Sequence, residues 1–371
     1  MDCRKFFEKY LGDIRDAQLG NGVIPAVAPV PPVGSFAYTG YDASAGWSEA
    51  IGEIPYHHYK MYGDKKIIRD NLPALKRLLD YYELESPGFI RGYAGRYGDW
   101  LSLGNKSDLS VISTLYYARA ADLAAQLCDI IGDYEKDRYR VLYANIKKAF
   151  RDRFMDADGR ILSDTQSVYV IAYSFGLIDM EETRKQLVRK FEEDDGKLTT
   201  GFLGIKFLLP TLCDIGRSDI AYRLITSTEY PGWGYSVVNG ATTIWERWDS
   251  YTKENGIRKG MNSFNHYSLG SCTQWMFEYC LGIRPQIDDP GCRGICFSPY
   301  PDISGKINSA KGYYDTDFGR ITVQWQRRVS EFEYAVTVPS QIQCTFVFND
   351  MQVVSQDQEN GSYRFTLKPC K

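Results

Sequence analysis

Gly240-Ala-Thr-Thr-Ile-Trp-Glu-Arg-Trp-Asp249 and, after one short loop, Asn262-Ser-Phe-Asn-His-Tyr267 gather two tryptophans, a carboxylate, an arginine and one of the chain's 3 histidines. The combination suits a sugar. Flat aromatic faces cover the C–H faces of a pyranose, while carboxylates and an imidazole bind hydroxyls or move protons. A plainer reading stands beside it: Trp245 and Trp248 have the spacing of one helical face, and tryptophan is more often core than ligand platform. Against a core helix, Glu246, Arg247 and Asp249 interrupt the aromatics where Leu or Val would be expected.

The 371 residues have room for one large domain and a small one, and a hydrophobic content of 44% supplies a core. The 44 basic and 47 acidic residues are interspersed, for a net charge of −3, so neither a nucleic acid nor an anionic membrane is expected as partner. With 28 Tyr, 18 Phe and 7 Trp, the chain carries many side chains able to line a polyol-binding cleft. The 9 cysteines have no metal-ligand spacing, and Cys128, Cys213, Cys272 and Cys280 fall in apolar helical patterns, which reads as reduced, buried thiols. Cys292 and Cys296 lack a nearby histidine or a second pair, so no zinc site and no cofactor is expected. No window reaches the length of a membrane span. Met1-Asp-Cys-Arg-Lys-Phe-Phe7 has no apolar signal-peptide core either, which gives a cytoplasmic location as the expectation.

From the amino terminus, Phe6, Phe7, Tyr10, Leu11 and Ile14 predict a helix over 3–19, stopped at Gly20-Asn-Gly22. A long proline-bearing segment follows from Val23 to Ala45, apolar and aromatic enough at Phe36, Tyr38 and Tyr41 to be expected ordered. Ala45-Gly-Trp-Ser-Glu-Ala50 leads into a helix ending near Tyr62. Further helices are predicted over 64–85, 108–131, 134–154, 164–176, 181–194, 204–214, 217–228 and 263–281. Long connections rich in Gly, Trp and Tyr, such as Gly92-Tyr-Ala-Gly-Arg-Tyr-Gly-Asp-Trp100, alternate with tight ones such as Gly132-Asp133. Paired helices with long loops at one end describe a helical toroid whose long-loop end holds the site. After Gly282 the texture changes: 319–325, 332–338, 344–348 and 362–367 alternate apolar and polar residues and predict strands. The expected division is a helical domain over 1–284 and a small antiparallel β-sandwich over 285–371.

The stretches 240–249 and 262–267 closely resemble the catalytic region of bacterial α-L-rhamnosidases of glycoside hydrolase family 78. Ala45-Gly-Trp47, Gly98-Asp-Trp100, Leu198-Thr-Thr-Gly-Phe202 and Pro231-Gly-Trp-Gly-Tyr235 match in the same order. The resemblance implies a mainly α fold, an (α/α)6 six-hairpin toroid followed by a β-sandwich. It also implies hydrolysis of terminal α-L-rhamnosyl groups of a carbohydrate with inversion, which needs two carboxyl groups ~6.5–9.5 Å apart so that a water fits. Residue by residue, Glu246 matches the general base, Trp47 and Trp100 match aromatics that wall the sugar pocket, and His266 matches a histidine that bonds hydroxyls. Asp99, next to Trp100, is a further candidate for a hydroxyl contact.

The family's general acid sits in a stretch resembling Asp-Glu-Arg-Leu-Gly-Trp-Thr-Gly-Asp, which these residues do not contain, and ten predicted helices fall short of a closed double ring. Three readings stay open. The chain is a fragment whose barrel is open and whose chemistry is lost, leaving at most a sugar-binding relict. It is half of a split enzyme, with a partner chain that completes the barrel and brings the acid. Or a carboxylate within the chain, Glu49 first, takes over proton donation. A different six-hairpin exo-glycosidase, such as an unsaturated-uronide hydrolase, is the alternative outside the rhamnosidases.

Overall fold

The computed structural model describes residues 2–32, 42–92, 95 and 97–370, so the expectation that Phe36, Tyr38 and Tyr41 are ordered lies outside the described residues, as do Tyr93, Ala94 and Arg96 of the glycine-rich loop. The chain divides into two compact units, Met1–Leu187 and Val188–Lys371. Among the described residues no helix is long and apolar enough to cross a membrane.

In the first unit, three helices start where a short polar side chain takes up free backbone N–H groups. Asp64 accepts from Lys66 N at 2.7 Å, and Asp108 from Ser110 N at 2.7 Å. The helices are α1 (Arg4–Ala17), α2 (Ala50–Tyr62), α3 (Lys65–Glu85), α4 (Leu109–Ile131), α5 (Lys136–Phe154) and α6 (Gln166–Ser174), with α7 (Met180–Glu193) crossing into the second unit. Gly63 ends α2 and Gly132 ends α4, both in the left-handed conformation that favours glycine. Helix α2 packs on α3, α3 on α4 and α4 on α5. The most enclosed is α4, which buries Val111, Ile112, Leu115, Leu123 and Leu127. Each such side chain stabilises the fold by about 1.5–3 kcal/mol relative to exposure.

The second unit continues with α8 (Phe202–Asp214), α9 (Ser218–Thr226) and the two-turn α10 (Trp233–Val238), which the sequence did not predict. A two-stranded hairpin follows, β1 (Tyr251–Thr252) with β2 (Gly256–Ile257). The helix expected over 263–281 is shorter and broken. A 3-10 turn occupies Ser268–Ser271, then come α11 (Cys272–Trp275) and a π turn at Met276–Cys280. The reason is that residues 263–266 spend their backbone groups on residues 243–246 instead of on a helix. The stretch 240–249 is likewise a series of turns, so Trp245 and Trp248 do not share a helical face. The four cysteines expected in helical cores, Cys128, Cys213, Cys272 and Cys280, are buried thiols.

Beyond Gly282 the chain is β, as the alternation predicts. A main sheet has the order β5 (Ser309–Thr316), β6 (Gly319–Arg327), β7 (Phe332–Thr337), β10 (Ser362–Pro369), β9 (Met351–Glu359), all antiparallel. A second sheet joins β3 (Ile283–Pro285), β4 (Gly294–Phe297) and β8 (Gln343–Phe346). Its β4–β8 pairing is parallel, a departure from the purely antiparallel sandwich expected. The buried face of the main sheet, with Ile321, Val323, Trp325, Tyr334 and Leu367, meets the other through Phe346, whose ring lies 4.7 Å from Phe365 and 5.4 Å from Phe297. Two bonds tie this layer to the end of the π turn: Trp325 Nε1 donates to Cys280 O at 2.9 Å and Tyr334 Oη to Leu281 O at 2.9 Å. Gly282 follows directly with φ +80°, where a Cβ would fall 2.4 Å from Pro299 N, so no other residue fits without backbone movement.

Candidate active site

Glu246 and His266 lie in the second unit, and backbone pairing brings their segments together. Glu246 N donates to Ser263 O at 2.9 Å and His266 N to Ile244 O at 2.8 Å, an antiparallel register with one extra residue on the 263–266 side. The Thr243 hydroxyl adds a bond to Phe264 O. Aromatic contacts fasten the pair from both sides. Trp245 meets Phe264 edge-on at 5.2 Å, and the His266 ring lies 5.2 Å from Phe202 and stacks on Tyr267 at 5.4 Å.

Behind this pair Trp248 donates from Nε1 to Thr200 O at 3.1 Å and meets Trp233 at 5.2 Å, while Trp233 Nε1 donates to Leu269 O at 2.7 Å. The matched stretch Leu198–Phe202 thus contacts both motifs, through Thr200 and through Phe202. An apolar cavity of about 310 Å³ lies among Trp233, Val237, Ile244, Trp245, Trp248 and Leu269. A larger concavity, about 810 Å³, is the polar face of the main sheet around Lys311, Gln324, Glu333 and Arg364, and none of the expected site residues lines it.

The charges on this stretch are sorted. Arg247 and Arg258 both bind Asp249, Arg247 Nε at 2.8 Å from Oδ1. Burial pushes the Asp249 carboxyl up, but the two guanidiniums outweigh it and hold the group below its ordinary value. Glu246 is different. It is 8% exposed, and among the described residues no donor or cation binds its carboxylate.

In the first unit the structure gathers Trp47, Glu49, Asp99 and Trp100. Trp47 and Tyr97 lie 4.7 Å apart with their planes tilted by 30°, and Tyr97 meets Trp100 edge-on at 5.5 Å, so the three rings form one half-exposed aromatic wall. Asp99, buried, accepts from the Ser167 hydroxyl. Glu49 is 1% exposed, with Oε1 accepting from Tyr82 Oη at 2.7 Å and Oε2 from Gly46 N at 2.7 Å. Burial pushes its carboxyl up to about 7, against the opposing pull of Arg91 and of the Tyr82 bond.

Sequence reasoning did not single out Tyr97, which joins the two wall tryptophans, although it stands inside the quoted Gly-Arg-Tyr-Gly-Asp-Trp run. Phe202 is marked in the sequence only as the end of the matching stretch Leu198–Phe202. Tyr82 and Arg91, which surround Glu49, carry no sequence signal: one reads as an ordinary helix residue and the other as a loop cation. Among the described residues no group of three or more His, Cys, Asp or Glu side chains could hold a metal ion.

Helices packed one after another and followed by two β sheets define a mainly α class of protein with a carboxy-terminal β part. Residues 1–280 match the model of the bacterial α-L-rhamnosidase six-hairpin glycosidase domain, and residues 282–362 that of the bacterial α-L-rhamnosidase C-terminal domain. The chain belongs to the bacterial α-L-rhamnosidase family. An α-L-rhamnosidase of Streptomyces avermitilis is 38% identical over 91% of this chain and 32% of its own length, and one of an Alteromonas species is 34% identical over 93% and 38%. The crystal structure of the Streptomyces avermitilis α-L-rhamnosidase complexed with L-rhamnose superposes with a TM-score of 0.86 at 34% identity, covering 99% of this chain and 36% of that one. The fold is therefore that of the family's six-hairpin and C-terminal domains. The chain spans about a third of the length of these relatives.

Proposed function

We propose that this chain is the base-bearing, sugar-binding part of an inverting α-L-rhamnosidase. Glu246 deprotonates the water that attacks the anomeric carbon, His266 bonds sugar hydroxyls, and Trp47 and Trp100 face the apolar side of the sugar, with Asp99 held by Ser167 as a further hydroxyl contact. The division into a helical catalytic part over 1–284 and a β domain over 285–371 belongs to the same reading, as does a separate chain that brings the acid. The observation that carries it is Glu246, a residue 8% exposed whose carboxylate has no protein partner among the described residues, on a segment paired with that of His266. A carboxylate on a fixed backbone whose oxygens take no protein donor is free to accept from an arriving water, which is what a general base requires.

Acid assistance matters least when the leaving group is already a good one. On 2,4-dinitrophenyl α-L-rhamnoside, water adds to the anomeric carbon, Glu246 takes its proton, and dinitrophenolate departs with the bonding electrons of the glycosidic bond. The chain alone is expected to release dinitrophenolate and β-L-rhamnose from this substrate, while an alkyl rhamnoside waits for the acid. Glu246→Gln is expected to lower the rate about 10²–10⁴-fold. Equal rates in wild type and Glu246→Gln, or no turnover and no L-rhamnose binding in folded protein, would contradict the proposal. Cleavage of another glycoside but not of the rhamnoside would favour a different six-hairpin glycosidase.

A further inference from the structure

We infer that Glu49 is a positioning residue: its carboxylate clamps the turn that carries Trp47 and so holds the aromatic wall in place, and it does not donate a proton to the substrate. The inference rests on the proposed sugar site only for the purpose of the wall; the clamp itself stands on the geometry of residues 42–49 with Tyr82 and Arg91.

Both carboxylate oxygens are committed. Oε2 reaches back three residues to Gly46 N at 2.7 Å, the arrangement by which an acidic side chain closes the first turn of a helix on a preceding N–H. Oε1 accepts from Tyr82 Oη on α3 at 2.7 Å. Trp47 stands between the two ends of the first bond. Its own N–H goes to Ser44 O at 3.1 Å, Ser48 N also goes to Ser44 O at 3.0 Å, and the Ser48 hydroxyl to Ile24 O at 2.8 Å. The turn is thereby fixed on both sides of the indole.

The same network reaches the other half of the wall. The Arg91 guanidinium lies 4.0 Å over the Tyr82 ring and donates to Ala43 O at 2.7 Å. Gly95 approaches the turn so closely that a Cβ there would fall 2.1 Å from Ser44 Oγ, and its φ of +72° also favours glycine. Tyr97 follows two residues later and meets both Trp47 and Trp100. A proton donor must instead touch the leaving group, and a carboxyl at 1% exposure with both oxygens engaged inside the turn offers it no free edge.

The test follows the Trp47 indole by fluorine NMR in the whole chain labelled with 5-fluorotryptophan, its resonance assigned through Trp47→Phe. In Glu49→Ala the Trp47 and Trp100 signals are expected to move while those of Trp245 and Trp248 stay, and the L-rhamnose dissociation constant to rise about tenfold, by loss of an aligned stacking surface worth ~1.4 kcal/mol. Turnover of activated and unactivated rhamnosides, the latter with any acid-bearing partner present, falls by one common factor, through KM. A Trp47 signal that does not move overturns the clamp. A loss confined to unactivated substrates overturns it too and makes Glu49 the acid. Should Glu49→Ala fail to fold, Tyr82→Phe removes one donor and leaves the other; a Trp47 shift there supports the clamp and its absence overturns it. Wild-type protein that binds no rhamnose speaks against the sugar site alone, because the fluorine shifts remain readable without ligand.

Discussion

Glu49 and Glu246 are both buried carboxylates beside tryptophans, one in each unit, and they have opposite surroundings. Glu49 is held by an N–H and a phenol O–H. Among the described residues Glu246 is held by neither, while its backbone N–H is paired with Ser263 O. The contrast separates two uses of the same chemistry. A carboxylate whose lone pairs are spent on protein donors stabilises a local conformation, whereas one whose oxygens stay open suits the proposed role of taking a proton from an arriving water.

The comparison is broken most directly by neutralising each group in turn. Glu246→Gln is expected to cost about 10²–10⁴-fold in turnover while leaving stability within ~1 kcal/mol of wild type or raising it, since the change removes a charge that has no partner among the described residues; paired kinetics and denaturant titration measure both. For Glu49 the larger effect is on stability and depends on pH. The folded chain holds that proton up to about 7, whereas a free glutamate releases it near 4.5, so the group's stabilising contribution is full below 4.5 and is lost as pH rises through 7. The difference is on the order of 3 kcal/mol. Chemical denaturation of wild type and Glu49→Gln across pH 4–8 should show that slope in wild type and its loss in the variant, with Arg91, Tyr82 and Tyr116 the charged or titratable groups that act on it. A smaller effect is expected of Trp248→Phe, which keeps the contact with Trp233 but leaves Thr200 O without its donor. About 1–2 kcal/mol of stability and a severalfold drop in turnover should follow, with the Glu49 slope untouched.

Much of the helical body was legible because its signals are local. Asp64, Asp108 and Thr165 as caps, and Gly63 and Gly132 as stops, sit where the sequence reading put helix ends. The helix expected over 263–281 was misjudged because its first turns pair with residues 243–246, an alternative that no periodicity reveals. Edge strand β9 escaped for another reason. Met351-Gln-Val-Val-Ser-Gln-Asp-Gln-Glu359 is exposed along nearly its whole length, so it has no alternation to show. The parallel β4–β8 pairing is a long-range choice of the same kind as the 243–246 pairing. At the site, residue types were readable and environments were not. Glu246 and His266 stood out as letters in a motif, but the commitments of Glu49 depend on Tyr82, 33 residues away in the chain.

The most direct test of the division between the two carboxylates is azide rescue on 2,4-dinitrophenyl α-L-rhamnoside. Azide attacks the anomeric carbon as an anion, so it needs no base, and it fills the space that a shortened side chain leaves beside the water. Glu246→Ala is expected to regain dinitrophenolate release with added azide and to form β-L-rhamnosyl azide by inversion, while Glu49→Ala gains nothing from it. Rescue of Glu49→Ala, or no rescue of a folded, rhamnose-binding Glu246→Ala, would contradict the account.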